Sequence, residues 1–131
     1  MKHRAIAVQI VVGAVAAASL APLTLWAAPK PKYTTKEIME AIHKGKESLG
    51  KKVADGGGTP ADFKKMVEYY TSLPLNDPPQ GDVAIWKKKA TALLASAKAL
   101  EAGKPGALDQ FKEAVNCKAC HSDFKPKDDH K

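Results

Sequence analysis

Ten residues follow Cys117-Lys118-Ala119-Cys120-His121 in this chain, and that placement limits the fold more than anything else in the sequence. The five residues form a C-x-x-C-H pattern and hold both of the chain's cysteines. In an exported protein this pattern reads as covalent attachment of a c-type haem. Each thiol adds to a vinyl group to give a thioether, and the two intervening residues set the sulfurs at the separation of the vinyls. The next residue brings an imidazole under the ring centre, and imidazole is the usual proximal ligand of haem iron.

Three other readings of the pattern are weaker. A thioredoxin-like redox pair wants a βαβ pattern nearby, and none is visible. Structural zinc wants four Cys/His ligands, and His3, His43 and His130 are not spaced as a second pair. A disulfide between Cys117 and Cys120 would close a very small, strained loop.

Residues 1–28 have the layout of a secretory signal peptide. Lys2, His3 and Arg4 make a basic start, Ala5 to Leu25 is almost wholly apolar, and Ala27-Ala28 is small enough for cleavage. The rival reading is an uncleaved membrane anchor, since the apolar stretch is long enough to span. Both readings place the rest of the chain outside the cytoplasm, in the periplasm or its equivalent, where C-x-x-C-H makes chemical sense.

What remains after cleavage is roughly 100 residues, one domain. The formal net charge of the full sequence is +7, and loss of Lys2 and Arg4 leaves it basic. Scattered lysines keep such a domain soluble, and they also offer a docking surface to an acidic partner. The sequence has no arginine cluster or aromatic-basic interleaving of the kind that binds nucleic acid.

Pro29-Lys30-Pro31-Lys32 opens a stiff, solvated linker over 29–33. The domain then runs over 34–125 as four amphipathic helices, ahead of a charged tail at 126–131. Thr34 or Thr35 caps the first helix, whose stripe is Ile38, Ile42, Gly45, Leu49 and Val53. It ends at Gly56-Gly57-Gly58. Thr59, Pro60 and Asp62 start the second with a capping box, and Phe63, Met66, Val67 and Tyr70 form its apolar face. A proline-rich loop follows. Asp82 caps the third helix, with Trp86, Ala90, Leu93, Ala97 and Leu100 on one face and Gly103 at its end. The fourth runs from Leu108 through Phe111 and Val115 into the haem motif, with Asp109 and Glu113 toward its beginning. No stretch reads as a strand. The expected fold is all-α, an antiparallel four-helix bundle with haem c attached to the C-terminal helix, and bundles build cofactor sites between facing helices.

With no Met after His121, a distal ligand has to come from upstream: Met39, His43 or Met66 in the mature chain. On a helical wheel Met39 lies roughly 80° from the centre of the first helix's apolar stripe, and His43 roughly 120°. Met39 also reads as an ordinary gap-filling core methionine, His43 as a solvent-facing histidine, and Met66 as plain packing between Phe63 and Tyr70.

A four-helix domain with C-x-x-C-H on its last helix resembles the cytochrome c-prime (class II cytochrome c) family. Asn116-Cys117-Lys118-Ala119-Cys120-His121-Ser122-Asp123-Phe124-Lys125 looks like that family's haem helix. The resemblance places Lys125 near the proximal ligand, where the family often has a basic residue. It also places Met39 at the position facing the iron, with Leu49 following as in the family. It covers residues 34–125, and its specific part is the haem helix. The family's usual Arg-Gln before the methionine is replaced here by Thr35 and Lys36.

The resemblance implies one of two functions: electron transfer with a first-helix Met as sixth ligand, or five-coordinate binding of NO or CO. A Met at the matching position favours the electron carrier, since Met/His ligation suits electron transfer. If His43 ligates instead, the potential is lower. Family members often pair as homodimers. A non-haem alternative is a helical interaction module with an exposed dithiol. Nothing beyond the haem motif reads as catalytic: there is no paired-carboxylate motif, activated nucleophile or phosphate loop.

Overall fold

The computed structural model describes residues 27–126. The expected signal segment lies outside them save for Ala27 and Ala28, and the charged tail save for Pro126. The described residues are helical with no strand, so the all-α expectation holds.

The helices are α1 (Thr35–Ile38), which runs into a π-helical turn over Met39–His43, then α2 (Leu49–Ala54), α3 (Pro60–Tyr70), α4 (Val83–Glu101), α5 (Ala107–Ala114) and α6 (Cys117–Phe124). The starts follow from side-chain caps. Thr34 accepts from the Glu37 N–H at 3.2 Å, while the Glu37 carboxylate accepts from the Thr34 N–H at 2.7 Å. Thr59 and Asp62 make the same reciprocal pair at the start of α3, and Asp82 accepts from the Ile85 N–H at 2.9 Å. Each satisfies backbone donors that a helix start leaves orphaned. Thr59→Ala should therefore cost about 1 kcal/mol; an unchanged urea midpoint would show that the Pro60 start suffices without the cap.

Two of the four expected helices are each broken in two. In the first, Gly45 adopts φ +90°, a left-handed conformation that ends the π turn. Ser48 then restarts the helix by accepting from the Lys51 N–H at 3.3 Å. Gly45 is thus a break, not a member of the apolar stripe. In the last, Asn116 accepts from the Ala119 N–H at 3.0 Å and caps α6 afresh. Asparagine favours such local bonds over a helix interior. Glu113 accordingly sits at the end of α5, not near a helix start.

The core gathers Ile38, Ile42, Val53, Met66, Tyr70, Leu73, Trp86, Ala90, Leu93, Ala97, Phe111 and Phe124. Helix α4 runs through the middle, packed against α3 and α5. The end of the linker is docked as well: Lys32 and Tyr33 both donate backbone N–H to the buried Ser72 hydroxyl, and the Tyr33 ring stacks on Tyr69 at 4.2 Å. So the linker is solvated over Pro29–Pro31 and held from Lys32 onward.

Helix α6 joins this core differently. It buries one residue, Phe124, whose ring meets Trp86 edge-on at 5.2 Å. Lys89 of α4 donates to the Ala119 carbonyl at 3.1 Å and pairs with Asp123 at 2.7 Å. The loop before α4 closes over the helix end: Gln80 donates to the Lys125 carbonyl at 2.9 Å. Gly81, at φ +84°, lies so close that a Cβ would stand 2.8 Å from the Asp123 carbonyl oxygen.

Candidate functional site

The Asn116 cap sets the start of α6, and with it Cys117, Cys120 and His121 at helical offsets of three and four. Residues so spaced share one face. Cys117 and His121 are exposed, Cys120 is half-buried, and both cysteines are free. The Cys117 sulfur approaches the Val115 carbonyl at 3.4 Å. Burial pushes the Cys120 thiol above its ordinary pKa, against the opposing pull of Lys89.

Across from His121 stands the first helical stretch. Lys36, Met39, Glu40, His43, Lys44 and His121 together line an open cleft of about 340 Å³. The structure thus brings His121 to the same cleft as both first-helix candidates. The π turn contributes here: Met39 and His43 are its first and last residues, and such turns recur at functional sites.

The two candidates have different surroundings. Met39 is half-buried and packs against the core. His43 is half-buried too, and its Nε2 lies 2.9 Å from the Tyr70 hydroxyl, with the rings stacked at 5.8 Å. Burial first, and then the nearby His121, pull the His43 imidazole down to about 4. It is therefore neutral at pH 7, with a lone pair to offer. Tyr70 is fully buried; that burial, and then Cys117, raise its hydroxyl well above the usual range. Met66, the third candidate, is fully buried in the core, where it packs as its place on the α3 face predicts.

Lys125 follows α6 as its C-cap. Its backbone N–H donates to the His121 carbonyl at 3.1 Å, and its own carbonyl takes the Gln80 bond. Among the described residues no three His, Cys, Asp or Glu side chains converge as a metal cage.

Sequence reasoning missed Tyr70, Gly50, Gln80 and Gly81. Tyr70 lay on a face that reads as packing. Gly50 carried no signal, although a Cβ there would stand 2.7 Å from His43 Nδ1. The proline-rich loop drew notice for its composition, while its contact with α6 joins residues 45 positions apart. Comparison with protein-family models, with curated proteins and with solved structures gave no match to this chain.

Proposed function

We propose that this chain is an exported c-type cytochrome that carries electrons through one covalently bound haem. The observation that carries the reading is His121, which shares a helix face with two free thiols and lines a cleft whose opposite wall holds Met39 and His43. That donor set fits haem c, which asks for two thioethers and one or two axial side chains and brings its own four nitrogens. The broken helices still divide the chain into four arms, α1 with α2, α3, α4, and α5 with α6, which supports the bundle reading.

Each thiol adds across one vinyl double bond: the carbon–sulfur bond forms, and the thiol hydrogen ends on the neighbouring carbon, with no net oxidation. His121 would hold the iron from α6, and a side chain from the π turn would face it, Met39 by the family resemblance or His43 beside it. When bound, the haem supplies a one-electron ferric/ferrous couple, reduced by a donor protein and reoxidised by an acceptor. Lys36 and Lys44 at the cleft rim, together with the basic net charge, suit an acidic partner at that edge.

The purified, exported protein should give a low-spin optical spectrum in both oxidation states that changes little with CO. A high-spin spectrum altered promptly by CO would instead make it a five-coordinate binder of NO or CO. A colourless product from a host that attaches haem would sink both readings.

A further inference from the structure

Met39 and His43 face the same cleft, yet the chain builds a socket for one of them alone. One edge of the His43 ring lies over Gly50 in the first turn of α2. A Cβ at Gly50 would stand 2.7 Å from Nδ1 and 2.9 Å from Cε1, closer than real Cβ contacts come. Gly50 is buried and is not among the glycines with positive φ. Backbone conformation therefore gives no reason for a glycine, which is a poorer helix former than alanine. The space it leaves for the imidazole does give one.

The opposite end of the ring is held by Tyr70, with 2.9 Å between Oη and Nε2 and near-parallel rings. Tyr70 is fully buried. The socket adjoins the candidate site, since His43 lines the cleft together with His121. A solvent-facing histidine would need neither the missing Cβ nor the buried hydroxyl. Met39 packs as a partly exposed methionine against the core.

On these grounds the geometry points to His43, not Met39, as the distal ligand of the haem, with Gly50 leaving room for its ring and the stacked Tyr70 ring orienting it. This assignment rests on the haem-carrier reading above. It overrides the Met39 position that the family resemblance implies. Ligation through Nε2 would use the lone pair that the Tyr70 hydroxyl now meets, so that bond is exchanged for the metal bond while the ring stack on Tyr70 remains. Two imidazoles leave out the thioether sulfur that raises the potential of Met/His sites. The protein is then a carrier of lower potential than the resemblance implies.

The test compares optical spectra of four haem-loaded, exported proteins: the native chain, Met39→Ala, His43→Met and Gly50→Ala. The native spectrum is expected to be low-spin without the weak far-red band of sulfur on ferric iron. Met39→Ala leaves it unchanged. His43→Met brings the far-red band in. Gly50→Ala, which displaces the ring without removing it, turns a fraction high-spin and open to CO. A native far-red band that Met39→Ala abolishes would overturn the assignment and leave the haem-carrier reading standing. A native high-spin spectrum that His43→Met leaves unchanged would also overturn it. A colourless product would instead overturn the haem reading itself, so the two failures are distinguishable.

Discussion

Exported protein carrying both Cys117→Ser and Cys120→Ser should retain no covalent haem. The chain has two cysteines, so no other thiol can substitute, and a serine hydroxyl does not add to a vinyl group under the same conditions. The expected result is complete loss of haem stain on a denaturing gel, with the polypeptide at its unmodified mass. Each single variant should keep one thioether and stain more weakly. The exposed Cys117 and half-buried Cys120 differ in access, so the two singles need not load equally. Covalent haem persisting in the double variant would end the attachment argument. His121→Ala provides the complement: the covalent mass stays, and the low-spin ferrous spectrum goes.

Trp86→Ala should be the most damaging single substitution for the described fold. Trp86 is buried, its indole N–H donates to the Asn76 carbonyl at 2.8 Å, and its ring holds Phe124 edge-on. Truncating a buried tryptophan typically costs about 3–5 kcal/mol, against a total stability of about 5–15 kcal/mol for a domain. Two structural connections go with it: the loop carbonyl loses its donor, and α6 loses its anchor. Chemical denaturation measures the first effect. Hydrogen exchange measures the second, as earlier exchange of the α6 amides. A loss under about 1 kcal/mol, or unchanged α6 protection, would mean that the remaining contacts hold the helix by themselves.

How legible the fold was depended on how local its signals are. The start of α3 follows from Thr59-Pro60-Asp62 and the start of α4 from Asp82, because a cap and its partner lie within one turn. The breaks at Gly45 and Asn116 were hidden by continuity. Ile38, Ile42, Leu49 and Val53 face the core on both sides of Gly45, so their spacing reads as one unbroken helix. The structure keeps the face and interrupts the backbone. The candidate site divides the same way. Cys117, Cys120 and His121 sit within five residues and were legible at once. The opposite wall was legible as a choice between Met39 and His43. Its resolution depends on Gly50 and Tyr70, and Tyr70 meets His43 across 27 positions of sequence. A missing methyl group and a buried hydroxyl leave no periodicity to read.

The way α6 is fastened has a consequence for biosynthesis. Its far end is clamped by Gln80, Gly81, Trp86 and Lys89, while Cys117 and Lys118 at its near end are open to solvent. An enzyme that works on the Cys117 thiol can reach it without prying apart the packing around α4, whereas Cys120 is half-buried against the core. On the proposed reading, Cys117 could be modified after most of the hydrophobic assembly is complete, like a handle fitted to a finished vessel, and Cys120 would be reached at the edge of the core.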